Sequence, residues 1–258
     1  MFRLKRKSYK PLPDAGLLVT SERGTPQGGI LSPLLANIFL HYVLDVWYER
    51  SVKTHTRGYC DLVRYADDFV CLVQHKVEAN RIREGLENRF TKYGLTLHPE
   101  KTGVFSFGRS ESENARKQNR KANTFDFLGF THFCDKTRKG YFKVGRKTAK
   151  KKFMAKVKEM NVWLKSIRNL IPTKEWWQIL RAKLRGHFQY YGVSGNYRSN
   201  QQYYFLVLRL VHKWLNRRSQ KKKMIWSKMS NYLALYPLPP PKIKHNFYTL
   251  PKYSRELG

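Results

Sequence analysis

The acidic pair Asp67 and Asp68 is the feature of this sequence best suited to chemistry. It lies within VRYADDFVCLV, residues 63–73, where every other residue except Arg64 is apolar or aromatic. Adjacent like charges repel, and burying them is costly unless a cation neutralises them. Carboxylate oxygens are ligands that Mg²⁺ prefers, with water or phosphate in its other positions. A metal site is one interpretation of the pair, and a solvated Asp-Asp turn is the other.

The residues around this pair alternate as they do in β-strands. Apolar side chains fall on both faces of residues 62–73, and the acids lie at the centre. This pattern predicts two short strands that meet at a tight turn of Ala66, Asp67 and Asp68, packed against a covered sheet. The two acids would then project from the turn.

A Gly-rich loop and a helix precede the predicted hairpin. Gly24, Gly28 and Gly29 surround Gln27, and such a loop lets the backbone approach a ligand at a helix start, which favours anions. Apolar residues then recur at intervals of three and four positions, which predicts a helix with a buried face. We expect the following residues to pack in the core: Leu35, Ile38, Phe39, Tyr42, Val43, Val46 and Trp47.

Further elements follow along the chain. A helix is predicted near 76–93, with an apolar stripe of Val77, Ile82, Leu86 and Phe90. We also expect a strand over 93–102 that ends in a Pro-Glu-Lys loop, a polar loop over 109–124 and a strand or hairpin over 125–133. Three amphipathic helices near 148–169, 173–191 and 200–217 predict a bundle, and the Pro-rich end is expected to be extended.

The composition favours a nucleic-acid partner. The chain has 51 Lys and Arg against 18 Asp and Glu, a formal net charge of +33, and aromatic residues make up 14%. Such a chain needs a polyanion. Because the basic residues are spread along the sequence among aromatic ones, nucleic acid is favoured over a membrane surface. Three isolated cysteines and the lack of a long apolar run predict a soluble, unexported protein in a reducing compartment.

Four motifs in order carry a family resemblance. GTPQGGILSPLLANIFLH (24–41), YADD (65–68), GLTLHPEKT (94–102) and FLGF (127–130) closely resemble the palm motifs of reverse transcriptases encoded by bacterial group II introns. LRGHFQYYGVSGNYRS (184–199) and KWLNRRSQ (213–220) resemble their thumb, also called maturase domain X. The resemblance implies an α+β fold, with a partial polymerase palm of antiparallel sheet and helices before an all-α three-helix thumb bundle.

The resemblance also implies domains, partners and an activity. It implies RNA-directed DNA polymerase activity on an RNA template and DNA primer with deoxynucleoside triphosphates, maturase-type binding of group II intron RNA, and a bacterial cytoplasmic location with the nucleoid or a ribonucleoprotein. The expected division is a remnant or linker at 1–23, palm at 24–135, a basic linker at 136–147, thumb at 148–235 and a Pro-rich basic tail at 236–258.

Particular residues acquire roles from the resemblance. Asp67 and Asp68 are the expected catalytic ligands of a two-Mg²⁺ site, because paired metals can activate an attacking hydroxyl and stabilise the leaving oxygen. Lys101 is either a catalytic group near the leaving pyrophosphate or a surface lysine. The expected contacts to nucleotide, template and primer are Gln27, Gly28, Gly29, Tyr65, Phe127, Leu128 and Gly129. As a set, the expected phosphate contacts are Arg146, Lys147, Lys150, Lys151, Arg185, Arg198, Arg217 and Arg218.

One part of the family pattern is not found. Family members carry a further metal-binding acid upstream, at the end of an apolar strand, whereas the acids before Gly24 are Asp14 and Glu22, in polar surroundings. We therefore expect the two-metal site to be incomplete in this chain, and a complementing N-terminal polymerase segment to be a partner. The alternative function is a non-catalytic RNA-binding module that assists intron splicing, or a remnant of such a gene.

Overall fold

The computed structural model describes residues 2–3, 31–218 and 224–247. The chain divides into two compact units, Met1–Ser106 and Phe107–Gly258. Among the described residues, no helix combines the length and the apolar character that a membrane crossing requires. The predicted α+β class is confirmed, since small antiparallel sheets occur together with helices.

The first unit is a three-stranded sheet with helices. It contains β1 (Phe2–Arg3), α1 (Ser32–Leu40), α2 (Lys53–His55), β2 (Cys60–Tyr65), β3 (Asp68–Val73) and α3 (Lys76–Lys92). Two π-helical segments, His41–Asp45 and Tyr48–Val52, lie between α1 and α2. The strands are antiparallel in the order β1-β3-β2. The predicted hairpin is therefore confirmed.

The core of the first unit lies between the hairpin and α3. Phe69 of β3 is fully buried and meets Phe90 of α3 edge to face, with ring centroids 6.1 Å apart. Leu44, Tyr48 and Leu86 are also fully buried. Burying aromatic and aliphatic side chains of this size contributes about 1.5–3 kcal/mol each, which fixes β3 to the helices.

The predicted buried face of the helix after the Gly-rich loop is confirmed at Val43 and wrong at four of its seven positions, while Val46 and Trp47 are half-buried. Leu35, Ile38, Phe39 and Tyr42 are exposed. Leu35, Ile38 and Phe39 lie in α1, where every residue from Pro33 to Phe39 is exposed, so α1 buries no face before Leu40. From His41 onward, the π-helical segments place an additional residue in each turn and shift the inward face relative to an α-helical pattern. The buried positions instead recur at every fourth residue, with one addition: Leu40, Val43, Leu44, Tyr48 and Val52.

Two other local predictions also differ from the structure. Val77 was expected in the α3 stripe but is 70% exposed, whereas Ile82, Leu86 and Phe90 are buried as predicted. Residues 93–102 were expected to form a strand that ends in a Pro-Glu-Lys loop. The loop is confirmed as a turn at 99–101, but the strand is reduced to a single bridge at Leu97.

The described part of the second unit joins a sheet to five helices. Its elements are α4 (Arg109–Lys117), β4 (Phe125–Phe127), β5 (Phe130–Lys136), β6 (Phe142–Thr148), α5 (Lys150–Ile167), α6 (Thr173–Tyr191), α7 (Tyr197–Asn216) and α8 (Trp226–Leu235). The strands are antiparallel in the order β4-β5-β6. Residues 109–124, predicted as a loop, include α4, and the stretch 136–147, predicted as a linker, contains most of β6.

The predicted helices of the bundle are confirmed. Their aromatic and aliphatic faces form one cluster, in which Leu164, Leu180, Leu184, Val207 and Met229 are almost fully buried. The segment after α8 packs on this unit, since the Lys244 and His245 amides both donate to the Gly192 carbonyl, at 2.6 and 2.9 Å. Apolar burial therefore holds the helices, while backbone hydrogen bonds tie down the chain that follows.

Candidate functional site

Asp67 and Asp68 lie at the closed end of the hairpin of β2 and β3. The register pairs Cys60 with Val73 at one end and Tyr65 with Asp68 at the other, so Ala66 and Asp67 form a two-residue turn. Both acids are half-buried, and Tyr65 is 67% exposed. The two paired strands, anchored by the buried Phe69, fix the position of the backbone that carries the two carboxylates.

The backbone of this turn is strained and is contacted by a side chain. Ala66 has a φ of 52°, in the left-handed region that residues with a Cβ rarely adopt. Its carbonyl accepts a hydrogen bond of 3.0 Å from Nη1 of Arg64. Arg64 also donates to both carboxylate oxygens of Asp45, from Nε at 2.7 Å and from Nη2 at 2.5 Å. Sequence reasoning assigned no role to Arg64 or Asp45.

The donor set at this turn fits Mg²⁺ in chemistry. Asp67 and Asp68 supply hard carboxylate oxygens, and Mg²⁺ is commonly held by one or two carboxylates together with water and substrate phosphates. No group of three or more His, Cys, Asp or Glu side chains with metal-binding geometry occurs in the described ranges 2–3, 31–218 and 224–247.

The other predicted contacts in the first unit are less closely defined. Lys101 is exposed in a turn, where its amide donates to the His98 carbonyl at 3.1 Å. Gln27, Gly28 and Gly29 lie outside the described residues. The role of each therefore stays a prediction.

Phe127, Leu128 and Gly129 lie in the second unit, at the turn between β4 and β5. Phe127 pairs with Phe130, and the two residues between them have φ values of 49° and 79°. Positive φ at both central positions is the signature of a type I′ turn, for which glycine at the second position is well suited. FLGF is thus a tight hairpin turn.

Two tyrosines at the end of α6 contact the FLGF turn. Tyr190 donates from Oη to the Leu128 carbonyl at 2.8 Å, and its ring stacks on Phe130 with centroids 5.8 Å apart. Tyr191 packs on Phe130 at a tilt, with centroids 5.3 Å apart. These contacts connect the turn to the helix that carries the predicted thumb motif.

The predicted phosphate contacts are distributed over the sheet and three helices of the second unit. Arg146 and Lys147 are on β6, where the Arg146 guanidinium lies over the Phe247 ring at 4.9 Å. The remaining members are exposed residues of α5, α6 and α7 or of the turn after α7: Lys150, Lys151, Arg185, Arg198, Arg217 and Arg218. Burial and the charge of Arg146 lower the pKa of the neighbouring His132, which favours its neutral form.

Trp214 gathers three cations that contribute to this basic surface. Arg168, Lys213 and Arg217 lie over its ring at 4.7, 5.1 and 5.3 Å from the centroid. Of these, only Arg217 was predicted from the sequence. Arg217 follows Trp214 by three residues, a spacing that could have been recognised, whereas Lys213 is its direct neighbour and Arg168 comes from the end of α5.

Comparison with known proteins adds to this description. Residues 17–132 match the family model described as reverse transcriptase (RNA-dependent DNA polymerase). Protein YkfC of Escherichia coli (strain K12) is 36% identical in an alignment that covers 28% of this chain and 26% of that protein. The chain therefore spans only about a quarter of the curated relative that it matches. The segment with the Asp67–Asp68 hairpin is similar to a reverse transcriptase domain.

Proposed function

We propose that this chain supplies the palm and thumb of an RNA-directed DNA polymerase of the group II intron type, with maturase-type binding of intron RNA. The observation that carries the proposal is the position of Asp67 and Asp68 at the tip of an anchored hairpin, inside the segment that matches the reverse transcriptase model. A nearby fully buried Phe69 makes this a rigid platform for two metal-binding carboxylates.

In this proposal, Asp67 and Asp68 hold Mg²⁺ through their carboxylate oxygens. Mg²⁺ held by these two side chains would supply Lewis-acid chemistry for activating the primer hydroxyl and stabilising charge on the leaving pyrophosphate. Lys101 neutralises pyrophosphate charge or donates a proton. Gln27, Gly28 and Gly29 contact the nucleotide and the template, and Tyr65 of the YADD motif is a further substrate contact.

The second unit holds the nucleic acid. The FLGF turn binds the primer end through backbone and packing contacts. The cations of β6, α5, α6 and α7 bind phosphates of the template-primer duplex or of intron RNA, whose A-form shape presents phosphates and 2′-hydroxyls along a shallow minor groove. The high positive charge of the chain supports this assignment.

A second function is supported by a separate observation. The described residues offer two carboxylates at the hairpin and no group of three or more metal-ligating side chains. A chain of this charge can bind intron RNA and assist splicing without a complete metal site. The alternative is therefore a non-catalytic RNA-binding module.

Primer extension separates the two functions. The full chain is tested on an RNA template with a DNA primer, deoxynucleoside triphosphates and Mg²⁺, alone and mixed with a separately expressed fingers and first-palm segment of a related reverse transcriptase. The polymerase function is supported if the primer is extended by the full chain, alone or in the mixture, and is not extended by the complementing segment alone. Salt-sensitive RNA binding without extension in either condition supports the binding module.

A matched pair of variants makes this test specific. Asp67→Asn removes a proposed metal ligand, and we expect it to abolish extension while RNA binding is retained. Asp61→Asn is the control, because Asp61 is an acid on the same hairpin that pairs with Lys53 at 3.4 Å and has no proposed catalytic role. Loss of extension in both variants, together with loss of RNA binding, would indicate misfolding and contradict the assigned role of Asp67.

A further inference from the structure

Arg64 links the Asp67 turn to a distant part of the first unit. Its side chain is 14% exposed and contacts one residue each of α1, the π-helical segment and the turn. Besides the hydrogen bonds to Asp45 and to the Ala66 carbonyl, its Nη1 donates to Oδ1 of Asn37 at 3.1 Å. One guanidinium thus connects the turn to α1 and to the π-helical segment that follows it.

The chemistry of arginine is required for this link. The guanidinium presents five donors in a planar fork, which can bind both oxygens of one carboxylate and still donate to other acceptors. A lysine has a single ammonium group and cannot hold Asp45 in this bidentate manner while it reaches the Ala66 carbonyl. The arrangement therefore depends on the shape of the donor group as well as on its charge.

The backbone segment that carries Asp45 is itself held in place by hydrogen bonds from α3. It ends the π-helical segment His41–Asp45, and π-helical turns are frequent at functional sites because they redirect side chains. Arg89 of α3 donates to two carbonyls of that segment, to Val43 from Nε at 2.5 Å and to Tyr42 from Nη2 at 3.3 Å. The helix that carries Asp45 is thereby fastened to α3.

We propose that Arg64 is a positioning residue for Asp67, and that Asp45 in turn holds Arg64. The left-handed backbone of Ala66 is a strained conformation that persists only where surrounding contacts enforce it. By binding the Ala66 carbonyl, Arg64 fixes the peptide that leads directly into Asp67. For its metal-binding consequence this inference rests on the proposed function, but the restraint of the turn does not.

Amide hydrogen exchange tests the restraint without any metal. In Arg64→Gln, we expect exchange of the peptides that cover residues 64–69 to rise about tenfold, whereas peptides of α3 keep their protection. Arg83→Gln is the control, since Arg83 is an exposed arginine of α3 paired with Glu87 at 3.0 Å. Unchanged exchange at residues 64–69 in Arg64→Gln overturns the proposal.

A double variant covers the case in which Arg64→Gln destabilises the whole unit by leaving Asp45 half-buried without its partner. Asp45→Asn combined with Arg64→Met removes the ion pair and leaves no charge behind. We expect it to recover the thermal midpoint but to keep fast exchange at residues 64–69. Recovery of protection in the turn as well would mean that the pair serves stability alone, which overturns the proposal.

Titration with Mn²⁺, followed by the electron paramagnetic resonance signal of the free ion, tests the consequence for the metal. Asp67→Asn should eliminate one component of Mn²⁺ binding. We expect Arg64→Gln to weaken the affinity of that same component about tenfold, as the loss of a residue that supports a metal ligand commonly does. Unchanged affinity in Arg64→Gln overturns the positioning role. If Asp67→Asn changes nothing, the metal site of the proposed function fails, and hydrogen exchange alone decides on Arg64.

Discussion

Tyr190 and Leu128 are joined by a hydrogen bond of 2.8 Å, from the phenol Oη on α6 to the carbonyl in the turn between β4 and β5. The two residues are 62 positions apart in the sequence, and the bond fastens a type I′ turn to the C-terminal end of α6. The FLGF turn and α6 therefore behave as one structural element, although their sequence motifs are separate.

Tyr190→Phe tests this bond. The substitution keeps the ring that stacks on Phe130 and removes one hydrogen bond, so we expect a loss of about 1 kcal/mol in the free energy of unfolding, measured with urea. If the turn holds the primer, KM for the primer should rise more than kcat falls. Tyr141→Phe is the control, because Tyr141 is 71% exposed. Equal effects of the two substitutions would show that the bond contributes nothing.

Much of the scaffold was predictable from local patterns. Alternation around Asp67 predicted the hairpin of β2 and β3, and apolar residues at intervals of three and four predicted α3, α5, α6 and α7. These elements were predictable because each buries one face against a single core. The paired carboxylates were conspicuous because they interrupt an apolar strand pattern.

Other features depend on contacts that no local pattern contains. The link of Arg64 to Asp45 joins residues 19 positions apart and exists only once the π-helical segment has turned Asp45 towards β2. β6 was interpreted as a linker because it is basic, yet Gly145 leaves room for the ring of Phe133 across the sheet. α4 has no apolar stripe, and its buried positions are Glu111 and Ala115.

Salt dependence of RNA binding tests the cations around Trp214. If Arg168 and Arg217 each contact one phosphate, Arg168→Gln and Arg217→Gln should each reduce the slope of log affinity against log salt by ~0.7 to 0.9. Fluorescence anisotropy of a labelled RNA hairpin at several salt concentrations measures the slope. Arg83→Gln, in the first unit, should leave it unchanged. A wild-type affinity independent of salt would contradict electrostatic binding altogether.

Acid should destabilise the second unit through His187. Its ring stacks on Tyr203 with centroids 3.7 Å apart, and burial, with the nearby charge of Lys156, lowers the pKa of His187 to about 4. The ordinary pKa is about 6.5, so the unfolded chain binds a proton more readily than the folded one between these values. Stability should therefore fall as the pH is lowered from about 6.5 to about 4, by about 2 kcal/mol after allowance for partial exposure.

His187→Phe separates this effect from other titrations. The variant keeps an aromatic ring against Tyr203 but cannot be protonated, so urea unfolding followed by tryptophan fluorescence should show a smaller loss of stability over the same pH range. His55→Gln, at an exposed histidine of the first unit, should behave as the wild type. An identical pH dependence in His187→Phe would contradict the role assigned to this histidine.

Two glycines provide opposite predictions for the same substitution. Gly129 has a φ of 79°, and an added Cβ would lie 3.2 Å from Oη of Tyr191, so Gly129→Ala should destabilise the second unit by about 1–3 kcal/mol. Gly186 lies inside α6 with nothing within 4 Å of an added Cβ, and Gly186→Ala should stabilise it by about 0.5–1 kcal/mol. Thermal and urea unfolding of both variants measure the difference. Because the two substitutions add the same methyl group, stabilisation by Gly129→Ala would contradict the left-handed turn at FLGF and with it the shape of the proposed primer-binding hairpin. Destabilisation by Gly186→Ala would contradict only the prediction for α6.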